Sequence, residues 1–184
     1  MRNNELLGPT FLNPEHILKQ AGLVSGQWVA DLGCGAGYFV LPAARLVGDE
    51  GRVYGVDVLK TALSSVGSKA RLFGLSNVHL VWANVEIYGA SKGIQDESID
   101  MVLMVQLLSQ SKKRKDIFKE ADRILKKDGQ LVIIDWKSDR SPFSPRQEEH
   151  VTVDEVKKLA SDQYFKLAQE IKVSAYHFCL IFSK

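Results

Sequence analysis

The stretch Val29-Ala30-Asp31-Leu32-Gly33-Cys34-Gly35-Ala36-Gly37 decides the reading of this chain. A short apolar run ends in an acid, three glycines follow at alternate positions, and a helical pattern begins after them, so the segment reads as strand, turn and helix. Glycine in such a turn lets the backbone expose its N–H groups and come close to a ligand that a bulky side chain would block. The spacing is GxGxG, which is neither the GxGxxG of dinucleotide sites nor the GxxxxGK[ST] of phosphate loops. Asp31, at the strand's end, is placed to attract a cationic group, for which a diphosphate-binding turn has no use.

A second acid belongs with the first. Asp57 closes the run Arg52-Val53-Tyr54-Gly55-Val56-Asp57, twenty positions beyond Gly37. A carboxylate at the end of a second strand can accept both hydroxyls of a ribose, and this spacing serves the ribose in nucleotide-binding α/β folds. An acid after a strand is often only a helix cap; coupled to the glycine turn it becomes a site.

Outward from these motifs, Val- and Ile-rich runs alternate with segments of helical period, the pattern of a parallel sheet covered by helices. Strands are expected at 28–32, 52–57, 78–83, 99–105 and 130–135, and helices at 38–47, 60–73 and 112–126. The last helix carries Ile117, Phe118, Ala121, Ile124 and Leu125 on one stripe. Its end is read at Lys126-Lys127-Asp128-Gly129, with cations at the negative end and glycine for a left-handed turn. Asn13-Pro14-Glu15 starts an earlier helix that runs to Ala21, within an N-terminal helical segment of residues 1–25. After the fifth strand, 137–151 reads as a loop on the substrate side and Val153 to Ser161 as a helix. Two β-like runs, 164–173 and 175–183, follow with room between them only for a hairpin. The sheet is therefore expected to end in an antiparallel strand.

At 184 residues, with 45% apolar and 25% charged residues, the chain has the size and mixture of one globular domain, 1–184. No apolar run is long enough to span a membrane and no secretory signal is evident, so residence in the cytoplasm is the expectation. Cys34 and Cys179 are too few for a zinc site of the CxxC type or a disulfide framework, and no metal is expected. A net charge of +2 is too small to argue for nucleic acid on its own, and nucleic acid is not an expected partner. The basic cluster Lys112-Lys113-Arg114-Lys115 reads as a solvated first turn of a helix.

Val29 to Gly37 resembles the first motif of the class I S-adenosylmethionine-dependent methyltransferases. Val53 to Asp57 resembles that family's ribose-binding strand, Glu97-Ser98-Ile99-Asp100-Met101-Val102 its fourth-strand motif, and Arg123 to Leu131 the helix and turn before its fifth strand. Within the family the chain most resembles the small-molecule branch that includes the ubiquinone and menaquinone biosynthesis C-methyltransferases. The resemblance implies a Rossmann-like, doubly wound sheet of seven strands with the last antiparallel, S-adenosylmethionine as methyl donor, and S-adenosylhomocysteine as product. It also implies that Asp31, Gly33, Gly35 and Gly37 receive the amino-acid portion and that Asp57 holds the ribose. Val58 and Val85 would wall the adenine, with Asn84 at its edge and Gln106 and Leu107 facing the methyl group.

Two departures from the family pattern bear on chemistry. Asn84 stands where an acid commonly accepts from the adenine amino group; its amide oxygen still accepts, without charge assistance. Gln106-Leu107-Leu108-Ser109-Gln110 replaces a histidine-rich stretch, which leaves no evident general base. Gln106 and His150 are the catalytic candidates; the other histidines, His16, His79 and His177, are read as packing or surface residues. His150 is singled out because it lies, with Asp135, Trp136 and Arg146, after the fifth strand, where the substrate side falls in this fold class. Arsenic methylation, the chemistry of a related branch, uses several cysteines in concert, and two do not supply them.

The acceptor is expected to be a small molecule whose pocket is open, covered by 137–151, or completed by a second copy of the chain in a homodimer. The competing readings are a nonenzymatic S-adenosylmethionine-binding regulator, left open by the missing base, and an NAD-dependent dehydrogenase, disfavoured by the glycine spacing and the hairpin ending.

Overall fold

Alternation along the strands decides which residues meet which helices. In β1 (Trp28–Leu32) and β4 (Ile99–Val105), Ala30, Leu32, Val102 and Met104 join one core, while Val29, Met101 and Leu103 join the other. Both faces are apolar, which is why these strands read as continuous hydrophobic runs. The computed structural model describes residues 12–137 and 150–184. Around those two strands lie β2 (Arg52–Asp57), β3 (Val78–Trp82), β5 (Leu125–Trp136), β6 (Lys166–Lys172) and β7 (His177–Ser183), in the order β3-β2-β1-β4-β5-β7-β6. All neighbours are parallel except β7, which runs antiparallel to both β5 and β6. The hairpin after the last helix thus places the final strand inside the sheet and β6 at its edge.

Helices α1 (Pro14–Gln20), α2 (Val40–Val47) and α3 (Lys60–Leu72) cover one face through residues such as Leu18, Ala43 and Val66. On the opposite face, α4 (Arg114–Ile124) and α5 (Val153–Ser161) bury Phe118, Ile124 and Val156. Fully burying a side chain of this size is worth about 1.5–3 kcal/mol. The caps follow the sequence: Asn13 accepts from the His16 N–H and Thr152 from the Glu155 N–H.

Three local expectations are corrected. The helix expected at 112–126 spans Arg114–Ile124, and the chain turns extended at Leu125 without a left-handed residue. Gly129 is required instead by close approach, because a Cβ there would sit 2.7 Å from Leu125 Cγ. Lys126 reaches sideways to Asp100 at 2.6 Å, and the other oxygen of Asp100 accepts from the Trp28 N–H at 2.7 Å, which staples β4 to the start of β1. Finally, Arg114 is not solvated as its cluster suggested. It binds Glu155 at 2.8 Å and the Leu108 carbonyl at 2.8 Å, fastening α4 to α5, while Lys112, Lys113 and Lys115 face solvent.

The crossover from β3 to β4 carries no helix. It is held by Glu120 of α4, a fully buried carboxylate that accepts from the Gly89 N–H at 2.6 Å and the Ser91 N–H at 3.1 Å and pairs with Arg123 at 2.7 Å. Burial alone would raise the pKa of Glu120; Arg123 and the two backbone donors outweigh it and hold the carboxyl below the usual range.

Candidate functional site

The glycine turn is stitched to β2 before it meets any ligand. The N–H groups of Gly33 and Cys34 both donate to the Val56 carbonyl, at 2.8 and 3.0 Å. Gly33, Gly35 and Gly37 all have left-handed φ, 73°, 50° and 81°, which explains why three glycines are needed. Their surroundings differ. A Cβ on Gly33 would lie 2.8 Å from Leu107 Cδ1, and one on Gly37 would lie 2.9 Å from Val66 Cγ2, whereas one on Gly35 would meet nothing within 4 Å. Two of the glycines therefore admit neighbouring side chains, and Gly35 borders open space.

One acid borders that space and a second is buried behind the turn. Asp57, at the end of β2, accepts from the Gly35 N–H at 2.9 Å and the Leu59 N–H at 2.8 Å. Asp31, at the end of β1, is buried, and its Oδ1 has no hydrogen-bond partner among the described residues. Burial, followed by the charge of Asp57, pushes the Asp31 carboxyl up to about 8. Two buried carboxyls with no ion pair among the described residues make a place where a cation is stabilised. Burial and the same acids also raise the Cys34 thiol well above its usual range, and burial pushes Cys179 up to about 12, so both cysteines are protonated, poor nucleophiles at neutral pH.

In front of the turn is a cavity of about 360 Å³, bordered by Gly33, Gly35, Asp57, Val58, Asn84, Val85 and Leu107. Seven of the ten residues expected to meet a cofactor are thus brought to one space. Gly37 lies against Val66 and Asp31 behind the turn, while Gln106 turns its side chain toward β7. Asn84 Oδ1 already accepts from the Glu86 N–H at 2.9 Å, so one lone pair remains for a ligand. The sequence reading missed Glu86 and Ser111, which meet at 2.6 Å on the cavity's border. Neither belongs to a local motif that could have revealed them. A second space of about 430 Å³ adjoins through Val58, Ala83 and Asn84 and is walled by Trp82, Ile87 and Tyr88.

Gln106 follows β4 with a left-handed φ of 51°. Its N–H donates to the Ile134 carbonyl at 2.7 Å, its carbonyl accepts from Gln110 Nε2 at 2.6 Å, and its carboxamide lies 2.8 Å from His177 Nε2. Among the histidines it is thus His177, read from sequence as a packing residue, that stands beside Gln106. His177 is buried, its Nδ1 is 2.8 Å from Ser174 Oγ, and its ring lies 4.2 Å from that of Trp136. Burial, and then the charge of Lys137, pulls its basicity down to about 4. His150 precedes α5, where its carbonyl accepts from Arg114 at 3.3 Å. Asp135 is buried and accepts from the Trp136 and Ser109 N–H groups. Arg146 and most of the 137–151 loop lie outside the described residues. Among those that are described, no helix is long and apolar enough to cross a membrane.

This arrangement has counterparts among known proteins. An arsenite methyltransferase from Aquipseudomonas alcaligenes is 34% identical over 122 residues, covering 64% of this chain and 35% of that protein. A probable cobalt-precorrin-6B C(15)-methyltransferase from Saccharolobus solfataricus is 32% identical over 117 residues, covering 63% of this chain and 56% of the relative. The chain thus spans only about a third to a half of the length of these curated relatives. The crystal structure of a SAM-dependent methyltransferase from Aquifex aeolicus superposes with a TM-score of 0.85 at 27% identity, covering 94% of this chain and 89% of that one. The family model described as a methyltransferase domain matches residues 23–174, from the approach to β1 through the hairpin before β7, and on that extent the chain belongs to the methyltransferase domain family.

Proposed function

We propose that the chain transfers a methyl group from S-adenosylmethionine to a small-molecule acceptor. The carrying observation is the buried, unpartnered Oδ1 of Asp31 behind an open glycine turn whose other flank is Asp57. A ligand with an ammonium group at one end and a ribose at the other suits such a pair. Asp31 would neutralise the ammonium and recover its own charge, and Asp57 would accept from the ribose hydroxyls with the lone pairs left by Gly35 and Leu59. Val58 and Val85 offer apolar walls for a base, Asn84 an acceptor for its amino group, and Leu107 a lid over Gly33. When bound, the donor supplies a sulfonium methyl carbon that takes up a lone pair of the acceptor as its bond to sulfur breaks and the pair returns to sulfur. The chain's part is to hold the two partners in line, which can carry much of the acceleration without a dedicated base.

The relatives named above act on an arsenite and on a cobalt-precorrin, so the acceptor is proposed only as a small molecule. The quinone-like branch stays an expectation from the motifs. Arsenite is disfavoured for this chain because both cysteines are buried and held protonated. Calorimetry with S-adenosylmethionine, S-adenosylhomocysteine and NAD tests the proposal: micromolar binding of the first two and none of NAD is expected. Preferential NAD binding overturns it, and turnover of labelled S-adenosylmethionine on any cell-extract fraction excludes a purely regulatory role.

A further inference from the structure

Proton counting around Ser174 fixes the orientation of Gln106. Ser174 Oγ accepts from the Tyr176 N–H at 3.1 Å and from the His177 N–H at 3.0 Å, which fills both of its lone pairs. Its remaining contact, 2.8 Å to His177 Nδ1, must then be a bond in which the hydroxyl donates and Nδ1 accepts. A neutral imidazole that accepts at Nδ1 carries its proton at Nε2. The carboxamide end of Gln106 lies 2.8 Å from that Nε2, so the atom facing the ring has to be an acceptor. An amide's oxygen and nitrogen exchange places by a half-turn, and the proton count selects the oxygen toward His177. The NH₂ group of Gln106 is thereby turned away from the ring.

The rest of Gln106 is fixed as firmly. A non-glycine residue in the left-handed region costs of order 1–3 kcal/mol and persists only where its surroundings over-determine it. Here the N–H, the carbonyl and the side chain are each held by a separate partner, Ile134, Gln110 and His177. Among the described residues three non-glycine residues have positive φ: Glu97 and Tyr164 lie in connections between elements, and Gln106 sits at the carboxyl end of the central strand β4. Its neighbour Leu107 borders the cavity. Trp136, half-buried at the end of β5, lays its ring against the same His177.

We propose that Gln106 is the acceptor-side contact of this site, a carboxamide that donates to an oxygen on a small planar acceptor lying near Trp136, and that His177, fixed by Ser174, is its positioning residue. The proposal rests on the methyl-transfer reading above. The chemical class it favours is a ring or conjugated compound with a carbonyl, phenolic or enolic oxygen next to the atom that is methylated. A ring that stays neutral at physiological pH keeps the arrangement constant, in accord with the lowered basicity of His177.

The test uses protein carrying ¹⁵N in histidine rings and glutamine amides, with phenol as the probe. Without ligand, long-range ¹H–¹⁵N spectra should show His177 with its proton on Nε2; a proton on Nδ1 overturns the proposal. With S-adenosylhomocysteine present, phenol should shift the Gln106 side-chain amide pair in the wild type. The shift should be at least fivefold smaller in Ser174→Ala, which keeps the imidazole but removes the donor that sets its tautomer. His177→Ala should lose the response as well, and both variants should bind S-adenosylhomocysteine within twofold of wild type. An unmoved Gln106 amide in the wild type, or an equal response in Ser174→Ala, overturns the proposal. Failure of S-adenosylhomocysteine to bind the wild type counts instead against the methyl-transfer reading, and the tautomer in the ligand-free protein still decides this one.

Discussion

The two halves of the site handle buried polarity in opposite ways. At the ends of β1 and β2, Asp31 is buried within reach of the charge of Asp57, and one of its carboxyl oxygens has no partner among the described residues. At the ends of β4 and β5 and the start of β7, Gln106, His177 and Ser174 satisfy one another through short bonds. An unsatisfied buried carboxyl costs free energy that a bound cation returns, whereas a satisfied network keeps its shape whether or not anything binds. One half is thus built to be completed and the other to be ready beforehand.

The sharpest way to break that contrast is Gly35→Val. A branched side chain would fill the open space in front of the turn and also strain a residue at φ 50°. Binding of S-adenosylhomocysteine should fall by more than roughly a hundredfold, equivalent to about 3 kcal/mol, while circular dichroism still reports the folded sheet. Near-normal affinity would mean that the turn does not touch the ligand. Asp57→Ala should cost about 1.5–3 kcal/mol, or roughly ten- to hundredfold in affinity by calorimetry, because it removes the charged acceptor of two hydroxyls and of the Gly35 N–H.

Asp31 sharpens the comparison through pH. Its folded-state pKa, about 8, lies above that of the unfolded chain, so the native state binds the extra proton between roughly pH 4 and 8. The stability linked to this proton is complete below pH 4 and is lost as pH rises toward 8. Ligand-free Asp31→Asn should therefore lose less melting temperature than wild type between pH 5 and 8. Equal slopes in thermal scans would show that Asp31 is not the proton-binding group. The smallest effect is expected from Asn84→Asp: a charged acceptor in place of a neutral one should tighten S-adenosylhomocysteine roughly threefold to tenfold. Weaker binding would indicate that the new charge is opposed by Asp57 and Glu86 more than it is used.

The halves also differ in what the sequence discloses. Asp31, the three glycines and Asp57 fall on two strand ends joined by one crossover, so spacing alone brings them together. Gln106 and His177 are 71 residues apart and meet only because β7 pairs with β5 in the register that sets His177 opposite Trp136. No local pattern marks such a contact, and His177 looks like any histidine at the start of a strand. The strands and most helix positions were legible because both faces of the sheet are apolar. The end of α4 was not, since Lys126-Lys127-Asp128-Gly129 carries every local sign of a helix stop while β4 pairing draws the chain into β5 from Leu125. Arg114 was hidden in the same way, by a cluster whose other members do face water.

Glu120 gives the crossover between β3 and β4 a property that its irregular backbone would not suggest. Because the amides of Gly89 and Ser91 are held by a side chain of α4, they can exchange with deuterated solvent only when that helix gives way or its carboxylate releases them. The wall carrying Ile87 and Tyr88 therefore shares an opening free energy with the helix layer, and two slow amides should stand out within a stretch where neighbouring ones exchange quickly.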